Sequence, residues 1–192
     1  MSDKGFPFPF TTYGTSKGGL VVNRVYTDPR SGSEFRFCQA HTTFVGSTLV
    51  ATATQHDPVV QVGAATPGLA TDDISAGLDA TNGFCLGVPT SACPVSTATV
   101  TYYFWAQTKG WGYRPHATLN GEFTTTLLSI KMNNDNDAAI GDTIILTSTD
   151  ASCNTVATGT AGVTQKTVGT VLVAVDAATD LVTGVYINTG LR

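Results

Sequence analysis

Residues 101–115, TYYFWAQTKGWGYRP, hold six of the chain's 17 aromatic residues and both of its tryptophans. In an extended strand, successive side chains point to opposite faces. Thr101, Tyr103 and Trp105 then share one face, and Tyr102, Phe104 and Ala106 share the other. A strand with one wet face alternates apolar with polar residues. This one carries rings on both sides, so both sides must be covered. Three uses compete for so many rings: a core strand, a sugar-binding platform, or a surface that docks on another protein.

The remaining sequence surrounds this stretch with short runs of β-forming residues separated by turn signals. Only 12% of residues are charged, about half the usual share, while the apolar fraction of 42% is that of a folded core. Glycine occurs 20 times, and threonine is abundant, a composition suited to short strands and tight turns. Strands are predicted over residues 20–26, 34–40, 47–54, 84–88, 98–106, 121–131, 141–148, 168–175 and 182–188. The pattern of 124–130 also fits a helix. Gly110, Trp111 and Gly112 are expected to end the aromatic strand, and residues 133–137 to form a turn. Residues 56–82, with Pro58, Gly63, Pro67, Gly68 and Gly77, read as a loop-rich insertion, in which 71–76 form one capped helical turn. Residues 84–110 and 168–190 share a faint repeat, a glycine-bearing strand followed by a strand that ends near glycine. The expectation is an all-β fold, a β-sandwich or small β-barrel with an extended N-terminal arm.

The arm is assigned to residues 1–36 and the β-domain to 37–192. Phe6, Pro7, Phe8, Pro9 and Phe10 alternate rings with prolines that fix φ and push their predecessors toward extended geometry. Three phenylalanines suit a groove on this chain or a neighbour rather than a solvated tail. Charge is divided unevenly. Residues 1–36 carry five basic residues (Lys4, Lys17, Arg24, Arg30, Arg36) against three acidic ones (Asp3, Asp28, Glu34), a net +2. Residues 37–192 carry five basic against eleven acidic, a net −6. An acidic body with a mildly basic arm repels nucleic acid and suits docking on an acidic protein surface.

Signals for catalysis are sparse. The two glutamates, Glu34 and Glu122, form no recognisable acid–base pair, and His41, His56 and His116 stand apart in sequence. No nucleophile elbow, zinc-protease motif or phosphate-binding loop occurs. Cys38, Cys85, Cys93 and Cys153 have no zinc-finger spacing. With no signal sequence in MSDKGFPFPF and no apolar run long enough to span a membrane, synthesis in a reducing cytoplasm and free thiols are expected. The oxygen-rich run Asn133-Asn134-Asp135-Asn136-Asp137 lacks the spacing of an EF-hand loop and reads first as a turn. No enzyme activity, cofactor or metal is expected. Around the aromatic stretch no Asp or Glu falls between Thr101 and Gly121, which weighs against a sugar site.

The second half of the chain carries a recurrent order of motifs: Leu86-Gly87-Val88, then Tyr102-Tyr103-Phe104-Trp105-Ala106-Gln107-Thr108-Lys109-Gly110, then Gly141-Asp142. It continues through Val168-Gly169-Thr170-Val171-Leu172-Val173-Ala174 to Val185-Tyr186-Ile187-Asn188. Over roughly residues 84–190 this order resembles that of capsid decoration (cement, or head-stabilising) proteins of tailed bacteriophages. The resemblance implies a non-enzymatic virion protein that binds the outer capsid surface and strengthens it, as a homotrimer whose partners are its sisters and the major capsid protein. Neither nucleic acid nor membrane is an expected partner. The residues expected at interfaces are Phe6, Phe8, Phe10, Lys17, Arg24, Arg30, Tyr103, Trp105 and Trp111. The alternative is a carbohydrate-binding or host-adhesion module of a virion.

Overall fold

The computed structural model describes residues 12–29, 31–45, 48–49, 57–63, 65–73, 85–111, 129–131, 138–146, 153–156, 167–172, 181–183 and 185–189. The fold is all-β, with no helix among these residues. Five strands close into a barrel: β2 (Glu34–Ala40), β4 (Val59–Gln61), β5 (Leu69–Thr71), β6 (Cys85–Pro89) and β8 (Tyr103–Trp111). Around the ring the order is β2-β5-β4-β6-β8, and the β2–β8 pairing closes it. The β2–β5 pair is parallel and the other barrel pairs are antiparallel.

Strand β8 organises the molecule because its nine residues serve three partners. One edge pairs with β2 from Tyr103↔Gln39 to Lys109↔Glu34. The other edge pairs with β6 at Ala106 and Gln107, then passes to β14 (Val185–Asn188) from Lys109 to Trp111. From β14 the sheet continues through β12 (Thr167–Val171) and β10 (Thr143–Leu146) to β11 (Cys153–Val156). At its opposite end β1 (Val25–Thr27) pairs with β2. Two small pairs stand beside this sheet: β3 (Thr48–Leu49) with β7 (Cys93–Pro94), and β9 (Ser129–Lys131) with β13 (Leu181–Thr183).

Three apolar clusters follow from this layout. Every barrel strand contributes to the first: Cys38 and Ala40, Val59, Ala70, Leu86, and Phe104 and Ala106, joined by Phe44 and Cys93. The second fills the space between β4 and β6 (Val60, Cys85, Val88) and the C-terminal strands, with Ile144, Val168, Val185 and Ile187 at its centre. The third contains Phe35, Phe37, Tyr103 and Trp105 on the outer face of β2 and β8. The alternation expected at 103–106 therefore holds, with Phe104 and Ala106 inside the barrel and Tyr103 and Trp105 outside it. The faint repeat also has a structural counterpart, since β6–β8 and β12–β14 are both antiparallel pairs, and β8 lies next to β14. Gly87 and Gly169 occupy like places in the two pairs. A Cβ on Gly87 would strike the backbone of Gln107, and one on Gly169 that of Tyr186.

Several boundaries differ from expectation. Residues 56–82 are not merely a loop-rich insertion, because β4 and β5 lie there and complete the barrel. They were hard to see because each is three residues long, too short for a period-2 pattern to stand out. The expected helical turn at 71–76 starts instead as the end of β5, where the Asp73 amide donates to Thr71 Oγ1 at 3.0 Å. Strand β8 begins five residues later than predicted and continues through Gly110 to Trp111, while Thr97 and Val100 close a turn before it. In the 20–26 stretch only Val25 and Tyr26 join a strand. A domain boundary at residue 36 would cut through β2, and the described part of the arm before it packs on the body. The 133–137 turn, and residues 124–128 of the stretch open to a helix, lie outside the described residues.

Candidate interaction surface

The described chain before β2, from Thr12 onward, forms a strap across the outer face of the barrel. At Gly14 the N–H donates to Tyr103 O (2.9 Å) and the carbonyl accepts from Tyr103 N (2.8 Å). It then crosses the Phe35–Phe37–Tyr103–Trp105 cluster, laying Leu20, Val22 and Tyr26 against it. It returns on the far side of β2 as β1, with Val25 opposite Arg36 and Thr27 opposite Glu34. The Asp28–Ser33 turn closes this hairpin: Gly32 N donates to Asp28 O at 2.8 Å and Ser31 Oγ to Asp28 Oδ2 at 2.7 Å.

Ring geometry under the strap is close and varied. Phe37 stacks on Tyr103 with centroids 5.6 Å apart and meets Trp105 at 4.9 Å in a tilted arrangement. Tyr26, from the strap, presents an edge to Trp105 at 5.5 Å and 89°. Edge-to-face and offset pairs of this kind are favoured by the ring quadrupole. Two cations sit over rings: Lys17 Nζ lies 5.8 Å from the centre of Tyr103, and the Arg24 guanidinium lies 5.8 Å from that of Tyr26.

The strap also has a fixed seat. Asn23 adopts φ +73°, the sole positive value among the described non-glycine residues. Its N–H donates to Phe37 O at 2.7 Å. The turn bearing Val22 and Asn23 rests on Gly68, where an added Cβ would lie 2.6 Å from Asn23 N and 2.7 Å from Val22 Cγ1. On the outside, the strap presents Tyr13 (44% exposed), Val21 (59% exposed), Lys17 and Arg24 to solvent. Tyr13 meets the partly buried Tyr102 edge-on at 5.8 Å.

These positions separate the residues expected at interfaces. Lys17 and Arg24 are exposed on the strap. Trp105 is fully buried and Tyr103 nearly so. The expectation that a neighbour covers this face gives way to an intramolecular cover, because the strap takes that place. A fully buried Trp105 likewise offers no platform to a sugar. Trp111 lies in β8, opposite Tyr186. Phe6, Phe8, Phe10 and Arg30 lie outside the described residues. The exposed Tyr13 and Val21 were not singled out from sequence. Their signal is weak, since single apolar residues on a surface are common.

All four cysteines are free and buried. Burial pushes the Cys38, Cys85 and Cys93 thiols up to about 12, and Cys153 well above its ordinary range. Such thiols are poor nucleophiles. Burial likewise pushes the Asp72 carboxyl up to about 6, with neighbouring Asp57 and Asp73 adding to the effect and the Val45 N–H bond opposing it. Asp72 Oδ1 accepts that bond at 2.8 Å and fixes the loop after β2 to the end of β5. Among the described residues no group of three or more His, Cys, Asp or Glu is placed to hold a metal ion. No family model, curated protein or solved structure matches the chain.

Proposed function

We propose that this chain is a structural protein of a tailed-phage virion that binds the outer capsid surface and stabilises it, as a homotrimer. The strap is the observation that carries this reading. It is a non-globular segment held across a closed barrel, and it presents Tyr13, Lys17, Val21 and Arg24 outward while the body carries the negative charge. Aromatic, aliphatic and basic side chains on a segment with a fixed seat suit a protein–protein contact with an acidic partner. The sugar-binding alternative gains no support from the rings described: Tyr13 is exposed, but Tyr102 meets it edge-on and not as a flat platform.

The test uses purified chain and phage heads that lack it. The chain is expected to sediment as a trimer and to co-sediment with the heads. The double variant Lys17→Glu/Arg24→Glu changes two exposed charges and should leave the fold intact while weakening head binding. Unchanged head occupancy by this variant would reject the strap as the contact. Failure of the wild-type chain to bind any such head would reject the function itself.

A further inference from the structure

Arg36 is a buried cation whose counter-charge is absent from the described residues. It lies in β2 opposite Ala106 and is 6% exposed. Its two hydrogen bonds both leave from Nη1 and both end on Asn23, at the carbonyl (3.0 Å) and at Oδ1 (2.8 Å). Nε has no acceptor. Glu34, two residues earlier on the same strand, turns to Lys109 at 3.6 Å. No described carboxylate pairs with Arg36. A guanidinium in this condition is costly, because it has left water without meeting an anion. Its planar fork of donors is shaped for a carboxylate, which can accept two N–H bonds at once.

Asn23 is the neutral group holding that place. It is isosteric with aspartate, and it sits in a left-handed conformation that Asn and Asp tolerate better than other side chains. The turn that carries it runs from Lys17 to Arg24, closed by Leu20 N to Lys17 O (2.9 Å) and Arg24 N to Val21 O (3.2 Å). Gly18 and Gly19 in this turn both have positive φ, and the turn rests on Gly68.

We propose that Arg36 is a carboxylate-binding site, filled when the Asn23 turn shifts and an external carboxylate takes the free edge of the guanidinium. The ligand class is a carboxylate, supplied free or as an Asp or Glu side chain of an acidic segment. This does not depend on the capsid reading, since it concerns the isolated chain.

Thermal unfolding of the full chain tests it. Sodium acetate and a hexaglutamate peptide are each compared with sodium chloride at equal ionic strength. Wild type is expected to show a saturable rise of about 2–4 °C with at least one of the two carboxylates. A response to acetate identifies a site open to free anions. A response to the peptide alone identifies an acidic segment as the ligand. Arg36→Met should not respond. Asn23→Asp, which supplies the carboxylate within the chain, should start from a higher unfolding temperature and also fail to respond. Should Arg36→Met not fold, the Arg36 Nε–H resonance of labelled wild-type protein replaces it and should move saturably with the same ligand. Equal rises in wild type and Arg36→Met, or a motionless Nε–H resonance, would overturn the proposal.

Discussion

Trp105 is the residue on which most of the molecule converges. It touches Phe37 from β2 and Tyr26 from the strap, and its carbonyl accepts from the Thr90 hydroxyl at 3.1 Å. Removing such a ring from a fully packed site costs about 3–5 kcal/mol. Trp105→Ala and Phe104→Ala are therefore both expected to lose β circular dichroism or unfold well below the wild-type temperature, because both faces of β8 are core. A second residue-scale prediction concerns pH. Asp72 has its carboxyl raised to about 6 from 3.8. The neutral form is the better fit, so its favourable contribution is complete below the unfolded value and is lost as pH rises through 6. Asn keeps the acceptor for Val45 N without the charge. Asp72→Asn should match wild type near pH 4 and melt at a higher temperature above pH 7. Paired melts across that range measure it, and a constant difference would remove Asp72 from the account.

At the scale of elements, the strap behaves as part of the fold and not as an appendage. Its seat needs a bare Cα at Gly68, so Gly68→Val should dislodge the Val22–Asn23 turn and uncover the ring cluster. The expected readouts are a red-shifted tryptophan emission and faster amide exchange at Phe37 and Tyr103, while the thiols inside the barrel stay unreactive. The strap also shows where sequence reading succeeds and fails. The alternation of rings at 103–106 stated outright that both faces are covered, because period-2 geometry leaves no other choice. It could not say what does the covering, since Leu20, Val22 and Tyr26 carry no pattern that ties them to Trp105. Strands β4 and β5 were missed for a related reason. Their three residues owe their conformation to neighbours in the barrel, and Pro58, Pro67 and Gly68 beside them read as loop. The Arg36–Asn23 contact was equally invisible, because a buried arginine and a left-handed asparagine look in sequence like any surface pair.

For the whole molecule, the long-range consequence lies in thiol chemistry and in charge. Cys38, Cys85, Cys93 and Cys153 are all buried, so a native sample should leave all four unmodified by an aromatic disulfide reagent, and a denatured one should react at all four. Partial reaction under native conditions would show that one cluster opens by itself. The uneven charge makes the proposed capsid contact sensitive to ionic strength, and head binding should weaken as salt rises. The barrel has a further consequence during synthesis. Its closing pair joins β2, near the start of the chain, to β8, more than sixty residues later. Until the ribosome has released Trp111, Phe35 and Phe37 have β1 beside them but no β8, and the strap lacks the Tyr103 and Trp105 half of the surface it lies on. The first hundred residues therefore leave the exit tunnel without a closed barrel, with Phe35 and Phe37 covered on one side only. The closing step is non-local and for that reason slow. The rate at which the nascent chain becomes protease-resistant should jump once β8 has emerged, rather than rise strand by strand.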